Sequence, residues 1–263
     1  MSGFLSPAIV TRLEKAAVDN GFDRELSPEA EWLSFASTRA PLRLWLTAVG
    51  DALFLAAVSQ QNVARALTDH GTAFTHPLPS GASGARGVAD IPALHHLVRR
   101  AFQLSKTLPD ELLHVFEKKV ASLPKTTEAE RLVVQRVGQD VFRNGLLEYW
   151  EGRCAITGLA VPELLRASHI KPWADCATDG ERLDVFNGLL LAPQLDAAFD
   201  RGFITIADNG GVSVSDALGI ESRRLLGLDA PLRLRSLSDG HRGFLPWHRE
   251  RIFRGPNATS EAS

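Results

Sequence analysis

The stretch RASHIKPWADC ends an apolar approach on His169, and eighteen residues further on NGLLLAPQLDAAFDRG carries Asn187, Asp196 and Asp200. Asp196 and Asp200 stand four apart in a segment that reads as one short helix, so both carboxylates leave the same face. Two such carboxylates repel unless a cation lies between them, and hard oxygen donors suit Mg2+ or Mn2+. A neutral imidazole brought against that face can take a proton from water, while a divalent ion stabilises charge on a phosphate and its leaving oxygen. The chemistry this set suggests is metal-assisted hydrolysis of a phosphodiester. Taken singly, each residue has a plainer explanation: a structural histidine, a turn asparagine, two acids on a solvated helix face. Their joint spacing, with strand and helix signals between them, favours a site.

The elements that must position these side chains are short. LLRASHI reads as a strand ending on His169, KPWADCATDGERLDVF as a polar loop, and NGLLLAP as a buried strand by its leucine run. PQLDAAFDRG follows as a helix, with Pro193 in its first turn and Gly202 as its stop. FITIADNGGVSVS is a β-hairpin turning at DNGG, and CAITG, ahead of the histidine, is strand-like. Asn187 opens the second strand, where it can bind backbone in the intervening loop and so hold His169 in place. Upstream, TEAERLVVQRVGQDVFRNGLLEYW predicts a helix capped by Thr126 or Thr127, with Leu132, Val133, Val137, Val141 and Leu147 as its apolar stripe.

The remainder is of ordinary globular composition. Hydrophobic residues make up 44% and charged residues 23%, which places the 263-residue chain among folded proteins long enough for two modest domains. The net charge of −2 excludes a global polycation, so a nucleic-acid partner must be met by local clusters and a bound metal. No apolar run approaches the roughly eighteen residues needed to span a bilayer. The first residues carry acids early and no basic region before an apolar core, so no export signal is expected and the cytoplasm is the default compartment. Cys154 and Cys176 form no CxxC pair, which rules out a four-cysteine zinc knuckle within one chain and leaves two semi-buried thiols.

In residues 1–120, SPAIVTRLEKAAVDNG predicts a helix with Ser6 as N-cap and Gly21 as stop, and PLRLWLTAVGDALFLAAVS two strands joined by a tight turn. QNVARALTDHG reads as a short helix, HPLPSGASGARGVADIP as a long loop, and IPALHHLVRRAFQLSKTLPDELLHVFEKKV as two helices parted near Pro109. LPKTT reads as a linker and GPNATSEAS as a disordered tail.

The segment from TEAERLVVQRVGQDVFRNGLLEYWEGRCAITG through SHIKPW and FNGLLLAPQLDAAFDRGFI to FLPWHRERIF, residues 126–253, resembles the HNH endonucleases. In that family a ββα-metal finger places a base histidine, a loop-fixing asparagine and a metal-binding histidine in this order. The third residue falls nine positions after the asparagine, here Asp196, and a further ligand often falls four later, here Asp200. Two departures stand out: Ser168 occupies a position that is often an Asp or His ligand, and Asp196 replaces the third histidine. Aspartate is itself a sound Mg2+ ligand. The resemblance implies an α+β protein. It has an N-terminal mixed α/β domain (1–120, putting DNA recognition there), a connecting helix (121–150), and a C-terminal HNH nuclease domain (151–263).

It further implies His169 as general base, Asn187 as loop organiser, Asp196 and Asp200 as ligands to Mg2+ or Mn2+, and DNA as substrate. It brings Arg136, Gln139 and Arg143 forward as DNA contacts; Lys171 and Arg182 are further phosphate-contact candidates, and His248 and Arg249 could face the same cleft. An upstream module that reads DNA, in some restriction enzymes a modified base or backbone, is extended to residues 1–120. Arg39, Arg43 and Arg86 are the candidate contacts there, beside a basic cluster of His95, His96, Arg99 and Arg100; a scaffold or dimerisation domain is the alternative. The expected function is a restriction endonuclease acting as a dimer or by two independent nicks. Its rivals are an inactive DNA-binding protein that keeps the finger as scaffold, and an enzyme acting on RNA or a nucleotide.

Overall fold

Ser6 accepts the Ile9 amide hydrogen and Pro7 fills the first turn, so α1 (Pro7–Asp19) begins where local chemistry asks it to. The computed structural model describes residues 5–74, 77–124 and 126–255. The predicted tail lies outside these from residue 256 on. After α1 come β1 (Arg24–Glu29), β2 (Trp32–Ala36), β3 (Arg43–Val49), β4 (Leu53–Val58), α2 (Gln61–Ala66), β5 (Thr72–Phe74), β6 (Gly84–Val88) and α3 (Ile91–Thr107). The six strands form one antiparallel sheet in the order β1-β2-β3-β4-β6-β5. β3 and β4 turn at Gly50, whose φ of 63° favours glycine.

The alternation in β3 predicts one buried face, yet Leu44, Trp45, Leu46 and Thr47 are all buried. One side packs towards α1 and α3, through Leu13 and Ala17 of the former and Leu94, Leu97 and Val98 of the latter. On the other, Trp32, Trp45, Leu55, Ala57 and Ala85 form a second cluster roofed by Leu78 and Ala82. The predicted long loop therefore needs correcting. Its first part roofs the sheet, and GARGV within it is β6, a strand between β4 and β5. Its glycines and serines mask a strand that only pairing on both sides stabilises.

Packing divides the chain between Leu108 and Pro109. The second unit opens with α4 (Pro109–Val120) and α5 (Glu128–Tyr149). Thr127 and Glu130 close a reciprocal capping box at the start of α5, so Thr127 is the cap of the two residues predicted for it. The predicted apolar stripe is displaced: Leu132 and Val133 are exposed, and the buried face is Gly138, Val141, Phe142, Gly145, Leu146 and Tyr149. The reason is the company of α5. A Cβ on Gly145 would lie 2.5 Å from Leu112 of α4, so the two helices meet there closely. Both helices thus belong to the body of the second unit.

The rest is β7 (Arg166–His169), α6 (Asp179–Leu183), β8 (Gly188–Leu191), α7 (Pro193–Asp200), β9 (Ile204–Ile206), β10 (Val212–Val214), α8 (Ile220–Leu225) and α9 (Asp239–Arg251). β7 pairs antiparallel with β8, and β9 with β10. CAITG is a turn and not a strand. Gly158 donates to the Cys154 carbonyl, and the Cys154 sulfur accepts from the amides of Thr157 and Ala192. The architecture is α+β, with small ββα elements in the second unit.

Candidate active site

β8 is buried along its whole length, so β7 is held from one side by four paired residues, with His169 opposite Gly188. Gly188 has no room for a side chain: a Cβ would lie 2.5 Å from the Phe142 ring. That ring, from α5, also lies under His169, with centroids 3.8 Å apart and planes 16° from parallel. Trp173 meets the imidazole edge-on at 5.7 Å. The aromatic platform was not readable locally, because Phe142 sits far upstream and reads as an ordinary core residue.

His169 Nε2 lies 2.9 Å from the Arg182 carbonyl oxygen. A carbonyl can only accept, so Nε2 carries the hydrogen, and in the neutral ring Nδ1 is left as the lone-pair nitrogen. Burial holds the imidazole below its ordinary pKa against a smaller opposing effect of that hydrogen bond, so the neutral form dominates at pH 7.

The loop between β7 and β8 is organised around Asn187, which is fully buried. Its Oδ1 accepts from the Lys171 amide at 2.8 Å, and its Nδ2 donates to the carbonyls of Lys171 and Glu181 at 3.1 Å and to the Cys176 sulfur at 3.3 Å. The Asn187 carbonyl also accepts from Ile170, next to His169. Arg182 is spent in the same loop. Its guanidinium donates to the carbonyls of Trp173 and Cys176 and to Asp179. Lys171 is paired with Glu181 at 2.9 Å, and Arg143 donates to the carbonyls of Leu165 and Pro162. These three predicted DNA contacts thus hold protein groups instead. Arg136 and Gln139 remain exposed on α5.

The structure brings His169 and Asp200 to one cleft of about 340 Å³, shared with Ser168, Trp173, His248 and Ile252. Asp200 keeps solvent contact, yet crowding of its carboxyl by protein and then the negative charge of Asp196 push its pKa up to about 6. Asp196 is turned towards β7, where it accepts a hydrogen bond from the buried Ser168 hydroxyl. That link explains what Ser168 does here, and nothing in local sequence announces it. His248 does reach the cleft, but both its ring nitrogens are bonded: Nε2 donates to the Phe199 carbonyl and Nδ1 accepts from Thr205. Burial lowers its pKa to about 4, so it stays neutral and serves structure. Arg249 is tied to Ile206 and Asp208.

Asp184 offers a clean pH test of this scaffold. Its Oδ1 caps the short turn Val185–Asn187 by accepting from Phe186 at 2.8 Å. Burial, and to a lesser degree Asp110 and Glu181, raise its pKa to about 6 from 3.8. A raised carboxyl contributes stability that is complete below its unfolded pKa and lost as pH rises through the folded one. Asp184→Asn keeps the cap and removes the charge. It should therefore stabilise the protein by about 1–3 kcal/mol at pH 8 and by little at pH 4, measured by urea unfolding at both.

Two antiparallel strands and a helix thus frame one cleft lined by an imidazole and a carboxylate. Residues 154–207 match the family model HNH_2, described as HNH endonuclease, and this segment is an HNH endonuclease domain. A domain of this family implies nuclease activity, that is, phosphodiester hydrolysis with nucleic acid as substrate. No curated protein matches the chain. Among the described residues, no helix is long and apolar enough to cross a membrane.

Domains of this family typically use a divalent metal ion. Among the described residues, no three His, Cys, Asp or Glu side chains gather as a closed metal cage. Asp196 and Asp200, one turn apart on α7, are the carboxylates that would hold such an ion. They supply hard oxygens, and a cation between them would relieve the part of the Asp200 shift that comes, after burial, from the charge of Asp196.

Proposed function

We propose that this protein is a divalent-metal-dependent DNA endonuclease of a restriction system, with His169 as general base. The observation that carries this reading is the His169 ring: Nε2 is committed to the Arg182 carbonyl, and the lone pair of Nδ1 is left to receive a proton at a cleft lined by Asp200. His169 takes the proton of the attacking water, which enters in line with the phosphodiester. Asn187 is a positioning residue, holding the loop that supplies the Arg182 carbonyl. Asp196, oriented by Ser168, and Asp200 would hold Mg2+ or Mn2+. When bound, the ion supplies charge neutralisation at the phosphate and at the departing oxygen. Arg136 and Gln139, exposed on α5, contact the DNA backbone. The first unit serves as specificity domain, with modified DNA as its target, and the protein works in the cytoplasm.

Nicking of supercoiled plasmid tests the reading. Cleavage is expected with Mg2+ or Mn2+, none with EDTA, and a fall of on the order of 100-fold in Asp200→Asn. Cutting that persists in EDTA would remove the metal from the mechanism. Plasmids carrying different base and backbone modifications, run in parallel with plain DNA, test the restriction role; equal cutting of all of them would refute modification dependence.

A further inference from the structure

The arginines predicted to read DNA in the first unit meet different fates. Arg43 pairs with Glu29 at 3.0 Å and lies over Trp45, and Arg39 lies over the Phe102 ring at 5.5 Å. His95 and Arg99 are both bonded to Asn20. Arg86 differs. It projects from β6 into a cleft of about 310 Å³ between α2 and the β4-β6-β5 edge of the sheet, and Arg65 of α2 lines the same cleft. Among the described residues neither guanidinium has an ion pair or a hydrogen-bond partner, although Arg86 is half-buried. The floor is apolar, from Val58, Leu67 and Ala85, and Gln61 adds an amide at the rim.

The charges acting on His70, Arg86 among them, are mostly positive. The His70 imidazole is held below its ordinary pKa by burial first and then by Arg100, His96 and Arg86, with only Asp69 acting the other way. In a chain of net charge −2, two guanidinium groups that line one cleft, Arg65 and Arg86, without a partner among the described residues need an explanation. Arginine forks match phosphate geometry, and a half-buried guanidinium without a counter-ion gains more from an incoming anion than an exposed one does.

We infer that the cleft between α2 and β6 is a phosphate-binding site for a nucleic-acid strand, with Arg65 and Arg86 as its anion ligands. The choice of polymer rests on the nuclease reading; the presence of an anion site does not. Arg65 escaped sequence reading because a single arginine on a short helix is indistinguishable from a solvated one until the strand opposite it is known.

Fluorescence anisotropy on a duplex, across a salt series, tests the site in full-length His169→Ala protein, which leaves the DNA uncut. Arg65→Ala with Arg86→Gln should reduce the slope of log affinity against log salt by about two, and weaken binding on the order of tenfold at low salt. Arg65→Ala alone, at an exposed position, should reduce the slope by about one and guards against misfolding of the double variant. Unchanged slope and affinity would overturn the inference, and so would weaker binding at an unchanged slope. Melting shifts with inorganic phosphate and with a mononucleotide form the second arm. Stabilisation by these in the parent, with no change of DNA slope in the variants, would assign the cleft to a small phosphate ligand and overturn the strand reading. Because the readout is binding, it stands apart from whether the parent protein cuts.

Discussion

His169→Ala should lower the rate of DNA cleavage on the order of 100- to 10,000-fold, the usual contribution of a positioned base, while DNA binding and the melting transition persist. The ring is fixed from three sides: the Phe142 face below it, the Trp173 edge beside it, and the Arg182 carbonyl on Nε2. These contacts use the ring faces and Nε2–H, and among the described residues none engages Nδ1. The pH profile adds a second readout. Burial lowers the His169 pKa from 6.5, so the neutral base survives into mildly acid solution and is lost as pH falls through the lowered value. The acid limb of kcat/KM should therefore lie below pH 6.5 and disappear from the residual activity of the variant. Activity retained in His169→Ala would refute the assignment of the base.

Asn187→Ala should be the most destabilising single change in the site, by about 3 kcal/mol, because it strands an amide and two carbonyls of half-buried residues at once. Asn187→Asp separates the donor from the acceptor role. It keeps an oxygen for the Lys171 amide but has no hydrogens for the carbonyls of Lys171 and Glu181, so it should recover only part of the loss. If Asn187 positions His169 through this loop, kcat in the folded variant at low temperature should drop on the order of 100-fold with little change in KM. The acid limb should stay where it is, since the base itself is intact. A purely structural role would leave kcat per folded molecule unchanged. Denaturant melts and steady-state nicking on the same preparations decide between the two.

The elements around the candidate site were legible where their signals are local. Pro193 and Gly202 bracket α7, and an i to i+4 spacing places Asp196 and Asp200 together whatever surrounds the helix. Gly202, with φ of 72°, is also the point where the chain comes within reach of the Ile252 carbonyl, and a Cβ there would lie only 2.0 Å from it. The hairpin at DNGG and the Thr127–Glu130 capping box are equally self-contained. The misjudged elements depend on distant partners. β6 is a strand only because β4 and β5 flank it, and the buried face of α5 is chosen by α4 and by the loop carrying Trp173.

By itself, then, the order of residues determined which groups are candidates for the site: one imidazole, one loop-binding amide and two carboxylates at helical spacing. Tertiary structure alone decided their state. It seats the imidazole on Phe142 and sets its tautomer through the Arg182 carbonyl, ties Asp196 to Ser168, and spends Lys171, Arg143 and Arg182 on protein groups while leaving Arg65 and Arg86 without any among the described residues. The physical reason is range. Backbone propensity and side-chain periodicity act over a few residues, whereas protonation, pairing and burial are properties of whatever the fold brings alongside.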